Sequence, residues 1–210
     1  MKKMKKSVVI IGKGPSVLKS TSDFIESFDE VAICNFPPIE GYEKFIGTRA
    51  DYHFFNAHDP SPYKKEILNA LGLKIAFNTH YKEHPGYVNC FPDHKMKYVL
   101  DYGTQVVPKF KKKYGFDPST GIQAFEYFVT KKEYQTIALV GFDFFKVGER
   151  GYYYPPSEVQ ASLKYLYTDA GTKAFNSQGF RVNENPHDSK KSENFVNDMI
   201  SYYNKELRVV

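Results

Sequence analysis

The sequence predicts an α/β fold: a single Rossmann-like domain over residues 1–210, its largely parallel sheet flanked by helices. Three observations carry this. Residues 7–11 (Ser-Val-Val-Ile-Ile) form an unbroken apolar run rather than an alternating one, the pattern of a strand buried on both faces. A second run of this kind, Thr-Ile-Ala-Leu-Val, occupies 136–140. Around these runs, strand-like and helix-like segments alternate, the order that builds parallel strands joined by crossover helices.

The elements follow in order. After the strand at 7–11 comes the turn Gly12-Lys13-Gly14-Pro15-Ser16, then a helix over 16–27. Residues 31–34, 52–55 and 73–77 read as the second, third and fourth strands, each short and apolar. An irregular stretch rich in aromatics and lysine follows. Ile122, Phe125 and Val129 recur at helical spacing and place a helix over 119–130. The strand at 136–140 is next, and helices are expected at 157–167 and 193–203. No repeat and no Pro-, Gly- or Ser-rich linker divides the chain. The segment 146–180 departs from the pattern, with Gly148, Gly151, Gly171, three successive tyrosines (Tyr152 to Tyr154) and Pro155-Pro156. A long insertion after a strand is often a lid over a site.

Composition narrows the class. The chain has 210 residues, 41% hydrophobic and 25% charged, which is globular rather than disordered and long enough for a sizeable core. The net charge of +5 is mildly basic, much of it from Lys2, Lys3, Lys5, Lys6 and Lys111 to Lys113. These lysines read as solvated surface or as attraction for an anionic partner. They are dispersed rather than gathered in a stripe, which argues against a nucleic-acid partner. Two cysteines, Cys34 and Cys90, are too few for a disulfide framework and suit a reduced compartment. No run approaches the ~20 apolar residues of a membrane span, and the apolar run behind the first lysines is too short for a signal-peptide core. A cytoplasmic protein is expected. The terminal lysines also suit a peripheral contact with anionic lipid.

Strand, glycine turn and helix together make a turn that approaches a nucleotide. Glycine lets the backbone come close to a ligand, and a helix N-terminus presents N–H groups to negative charge. Pro15 suits the first helical position, where no N–H is needed. Glycines in such a turn also serve simply to turn the chain. Two familiar motifs are absent. The dinucleotide fingerprint needs a third glycine where Val17 stands and an acidic residue where Asn35 stands. The phosphate-binding loop of NTPases needs a terminal Gly-Lys-Ser/Thr, which is missing. Both absences argue against a dehydrogenase or an NTPase.

Three separated segments together resemble the sialyltransferases. The first holds the Gly-x-Gly turn, Asn35-Phe36-Pro37-Pro38, Gly41-Tyr42-Glu43-Lys44, Gly47-Thr48-Arg49 and Tyr52-His53-Phe54-Phe55-Asn56. It is similar to the long sialylmotif of the animal-type family. The second, Pro118-Ser119-Thr120-Gly121 followed by a helix, a strand and Gly141-Phe142-Asp143, resembles the short sialylmotif. The third is His187 with Glu193 downstream, resembling the very short motif. Gly12-x-Gly14-Pro15-Ser16 and Asp143-Phe144-Phe145 resemble the bacterial branch more closely. The chain departs from the pattern at Lys13, where asparagine is usual, at Phe145, where a bacterial tyrosine helps hold phosphate, and in the spacing after His187.

The resemblance implies an inverting, in-line transfer of sialic acid from CMP-sialic acid to a glycan or glycolipid hydroxyl. CMP-Kdo is the alternative donor, and a catalytically degenerate nucleotide-binding scaffold the alternative role. His187 is the candidate base, since histidine titrates near neutral pH without a special environment. For the donor, Gly12, Lys13 and Gly14 supply the turn, and Ser119, Thr120 and Gly121 open a helix toward phosphate or ribose, with an ordinary N-cap as the other reading of that serine and threonine. Asn35 and Asn56 follow strands, at the carboxyl ends where open α/β sheets bind ligands. Asp143 ends a strand and faces a ribose hydroxyl or caps a turn. Tyr152 and Tyr153 either give hydrogen bonds to the leaving phosphate or pack the lid. No cofactor and no metal are expected, because the chain has no Asp-x-Asp and Pro85-Gly86 breaks the helix that His80 and His84 would need. A homo-oligomer is compatible with all of this.

Overall fold

The structure, a computed structural model, describes residues 5–35, 37–55, 70–79, 96–98, 106–144, 151–154 and 187–210. Seven strands form one sheet: β1 (Lys6–Ile11), β2 (Glu30–Cys34), β3 (Tyr52–Phe55), β4 (Ile75–Asn78), β5 (Met96–Tyr98), β6 (Tyr134–Val140) and β7 (Glu206–Val209). Their order is β5-β4-β3-β2-β1-β6-β7, and every pairing is parallel. The α/β Rossmann-like class expected from the sequence is the class observed.

The continuous apolar runs are explained by burial on both faces. Along β1, Val8 and Ile10 join one core and Val9 and Ile11 the other, all at most 1% exposed. Side chains alternate across a strand, so a strand covered on both sides needs an apolar residue at every position. Each such burial contributes roughly 1.5–3 kcal/mol. On the first face lie three helices, α3 (Val106–Tyr114), α4 (Thr120–Val129) and α5 (Ser189–Tyr203). On the second lie α1 (Ser22–Glu26), α2 (Glu43–Ile46) and Tyr152 to Tyr154. Ile122, Phe125 and Val129, the helical stripe read from the sequence, are all buried.

Aromatic packing sets the position of α5. Phe195 is met by Tyr114, Phe110, Phe116 and Phe125 at centroid separations of 4.7, 5.4, 5.8 and 6.1 Å. Edge-to-face rings of this kind add to the energy of area burial and fix orientation. They hold the second turn of α5 against the middle of α4 and the second half of α3.

Several boundaries differ from the sequence reading. The single helix expected over 16–27 is a 3₁₀ turn, Pro15–Lys19, followed by α1. Ser20 and Thr21 are extended between them, and the Thr21 hydroxyl accepts from the Phe24 N–H, so a side-chain cap ends one helix and starts the next. The fourth strand begins at Ile75 rather than at 73, because the N–H groups of Lys74 and Ile75 both bond the Asp51 carbonyl before the ladder starts. The helix expected over 193–203 starts at Ser189, with Asp188 as its cap. Strands β5 and β7 and helices α2 and α3 were not anticipated. The expected helix at 157–167, Asn56 and most of 146–180 lie outside the described residues.

The amino ends of four adjacent strands are tied together. Lys6, Glu30, Tyr52 and Tyr134 are the first residues of β1, β2, β3 and β6. Lys6 Nζ lies 2.8 Å from Glu30 Oε1, the Tyr134 hydroxyl donates to Glu30 Oε2, and the two tyrosine hydroxyls are 3.4 Å apart. Burial pushes the Glu30 carboxyl upward, but hydrogen bonds from Lys6, Tyr134 and Tyr52 outweigh it and hold the group below its usual range. A carboxylate lowered in the folded state stabilises above its unfolded pKa and loses that contribution as pH falls through the folded value. Glu30→Gln is therefore expected to cost about 1–3 kcal/mol at neutral pH. Urea midpoints below about pH 4.3 should fall less steeply in the variant than in the wild type.

Candidate functional site

β1 is followed in sequence by β2 on one side and flanked by β6 on the other. Chain connections diverge there, so the carboxyl ends of β1 and β6 border a crevice, the usual ligand position in open α/β sheets. A cleft lies at this point, with about 670 Å³ of empty space counting the part open to solvent. Its walls are Gly12, Lys13 and Gly14 after β1, Cys34 and Asn35 at the end of β2, and Gly141 to Phe144 after β6. Ser119 to Ile122 at the start of α4, Ser192 of α5, and Gly151 with Tyr152 complete them.

The glycines are required by the meeting of two loops. Gly12 N–H bonds the Val140 carbonyl at 2.7 Å and Gly14 N–H bonds the Gly141 carbonyl at 2.9 Å. A Cβ on Gly12 would lie 2.5 Å from the Gly141 oxygen, and one on Gly14 would overlap the Asp143 carboxylate. Gly141 has φ +72, and a Cβ there would strike Val17. Gly121 has a related reason: its Cβ would sit 2.9 Å from the Phe142 ring. Asp143, offered as a ribose ligand or a cap, accepts from Ser16 N–H at 3.0 Å and so caps the 3₁₀ turn across the two loops.

The start of α4 is arranged for an anion. Ser119 caps the helix, its hydroxyl accepting from Ile122 N–H at 3.2 Å, and Gln123 N–H bonds the Ser119 carbonyl. Of the four N–H groups a helix start leaves over, those of Thr120 and Gly121 remain on the cleft wall. The helix dipole adds partial positive charge there. Lys13 is the one cationic residue on this wall among the described residues, its Nζ 4.2 Å from the centre of the Tyr152 ring. Asp143, the one anionic residue, is occupied by the cap.

Backbone strain gathers at the same place. Three non-glycine described residues have positive φ: Asn35 (58), Phe144 (52) and Asn204 (49). Asn204 ends α5 in the ordinary left-handed manner. The other two line the cleft, and an aromatic residue in this region is a genuine outlier of the kind that clusters at functional sites. Asn35 is held by its N–H to the Phe54 carbonyl at 2.7 Å, and its Oδ1 accepts from the Thr120 hydroxyl at 3.3 Å. Burial raises the thiol of Cys34, beside it, to about 12, with only partial opposition from Lys13.

The remaining candidates divide. Tyr152 lines the cleft, stacked on Tyr154 at 5.4 Å. Tyr153 does not: its hydroxyl donates to the Pro38 carbonyl at 2.7 Å and its ring packs edge-on against Tyr42. His187 is outside the wall but adjoins it. It precedes Asp188, the cap of α5, five residues before Ser192, and its Nδ1 is 3.0 Å from the Asp117 carbonyl. A carbonyl only accepts, so in neutral His187 the proton is on Nδ1 and the lone pair on Nε2. Phe142, Phe144 and Ser192 were missed from the sequence. The first two stand beside Asp143 in the short-motif segment, whereas nothing local marks Ser192.

Comparison with solved structures places the fold. A sialyltransferase CST-II variant in complex with CMP matches with a TM-score of 0.66 at 19% identity, over 97% of this chain and 80% of that one. The fold is shared with sialyltransferases. The α-2,3-sialyltransferase Cst-I from Campylobacter jejuni matches at 0.61 and 18% identity, over 100% of this chain and 76% of that one. A mammalian sialyltransferase in complex with Gal-beta-1-3GalNAc-ortho-nitrophenol matches at 0.53 and 17%, over 98% and 69%. No protein-family model and no curated protein matches the sequence. Among the described residues no helix is long and apolar enough to cross a membrane.

Because the loops after β1 and β6 touch through backbone, Gly12→Ala should destabilise the protein by about 1–3 kcal/mol, the usual cost of overpacking. The urea midpoint measures it, and an unchanged midpoint would show that the loops separate without cost.

Proposed function

We propose that this chain is an inverting glycosyltransferase that moves sialic acid from CMP-sialic acid to a glycan hydroxyl. One observation carries the reading. A cleft combining a lysine, a helix N-terminus and a glycine turn lies at the switch point of a fold that sialyltransferases share. One of those neighbours was solved with CMP and another with Gal-beta-1-3GalNAc-ortho-nitrophenol, and a further CST-II structure holds a trisaccharide acceptor and CMP, which supports a nucleotide-sugar donor and a glycan acceptor here.

In this mechanism the acceptor oxygen attacks the anomeric carbon of the donor from the face opposite CMP. The new carbon–oxygen bond forms as the bond from that carbon to the phosphate oxygen breaks, and its electron pair leaves with CMP. His187 Nε2 takes the acceptor's hydroxyl proton. The Nδ1 contact with Asp117 keeps the ring in the tautomer this needs. Lys13 and the N–H groups of Thr120 and Gly121 meet the charge growing on the departing phosphate. Asn35, through its amide, orients the donor, and the face of the Tyr152 ring holds the Lys13 ammonium in place.

Isothermal titration with CMP, in EDTA, tests the donor. Binding tighter than that of AMP or GMP supports the reading, and equal or absent binding overturns it. Assays with CMP-sialic acid and CMP-Kdo then separate the two donors, and binding without transfer from either identifies a scaffold.

The roles of two residues follow. His187→Ala should bind CMP as the wild type does while kcat falls by about 10²–10⁴-fold, the usual worth of a general base. Lys13→Ala should lower kcat by about 10²–10³-fold, as loss of a transition-state charge donor does. A Lys13→Ala enzyme with unchanged kcat would assign the lysine to the surface.

A further inference from the structure

His53 plays no part in the chemistry above, yet it is built into the cleft from behind. It lies in β3, fully buried, with its ring edge-on to Phe55 at 5.8 Å. Its Nε2 is in hydrogen-bond contact with the backbone carbonyl of Asn35. A carbonyl only accepts, so Nε2 carries the proton and donates. Burial lowers the imidazole to about 4, against the opposing pull of that bond, so the ring is neutral at physiological pH.

Asn35 needs such a partner. It leaves β2 with φ 58, a conformation that costs a non-glycine residue free energy. The sheet fixes its N–H, through the Phe54 carbonyl. The carbonyl, on the far side of the strained torsions, is fixed by His53. With both ends of the residue held, the side chain meets Thr120 across the cleft. A valine or phenylalanine in place of His53 would satisfy β3 and its core equally well, but neither could hold this carbonyl.

We infer that His53 is a positioning residue for the cleft: it clamps the Asn35 carbonyl and so keeps the Asn35 amide at Thr120 and in reach of the donor. The inference rests on the donor reading of the cleft for its functional consequence, and on geometry alone for the clamp.

A double-mutant cycle read by CMP titration tests it. His53→Phe keeps a buried ring but loses the donor, and is expected to weaken CMP roughly tenfold. His53→Gln carries an N–H at similar reach and should restore most of the affinity. Asn35→Gly keeps the left-handed backbone without strain but lacks the amide, so adding His53→Phe to it should bring little further loss. Additive losses, or equal losses in His53→Phe and His53→Gln, would make His53 a packing residue and overturn the inference.

Wild-type protein that fails to bind CMP would sink the donor reading separately. The clamp is then decided by nuclear magnetic resonance, which needs neither ligand nor a folded His53→Phe variant. Ring nitrogen shifts showing the Nε2–H form, with slower exchange of the Asn35 amide in wild type than in His53→Gln or equal to it, support the clamp. An Nδ1–H ring, or Asn35 exchange that is faster in wild type than in His53→Gln, overturns it.

Discussion

The loops that leave β1 and β6 touch through their backbones, with no side chain between them at Gly12 and Gly141. Two N–H groups of the first loop bond carbonyls at the end of β6 and in the loop after it. This approach sets how far apart the two strand ends open, and so the shape of the cleft. It also brings Asp143 to the start of the 3₁₀ turn and Phe142 against Gly121. The turn after β1 and the start of α4 are thereby referred to one common point. Replacing Gly12 requires backbone to move, since the two nearest atoms its Cβ would meet are main-chain atoms of Gly141.

The two ends of the sheet are used differently. At the amino ends, Lys6, Glu30, Tyr52 and Tyr134 close a polar network around one buried carboxylate. A half-satisfied network there would be costly, so the strand starts are locked in relative position. At the carboxyl ends the same strands diverge into loops, and polar groups are set around open space instead. Asn35 and Phe144 hold strained torsions at that end. Strain persists only where surroundings over-determine it, and the rigid foundation below supplies that constraint.

Much of the fold was legible because burial on both faces leaves a mark in the sequence. Runs such as 7–11 and 136–140 admit few other readings, and the stripe of Ile122, Phe125 and Val129 gave α4 its place. The short edge strands left no such mark. Glu206 to Val209 are mostly exposed and alternate charged with apolar residues over only four positions, the shortest run in which such alternation marks a strand. The break between the 3₁₀ turn and α1 depends on the hydroxyl cap of Thr21, a local competition that periodicity does not register.

The cleft was legible to a smaller degree. Gly12, Lys13, Gly14, Asn35, Ser119, Thr120 and Gly121 stood out because turn glycines, helix caps and strand ends are local features, and all seven meet at the cleft. The sequence alone thus determined the class of fold and several of the segments that line the cleft. Tertiary structure decided the roles within it. It gave Asp143 to the Ser16 N–H, turned Tyr153 to Pro38, brought Ser192 in from the last helix and placed His53 behind Asn35. Each of these contacts joins residues far apart in the chain. Which of a polar group's partners is within hydrogen-bond reach is settled by packing between elements, and no local pattern of residues encodes that distance.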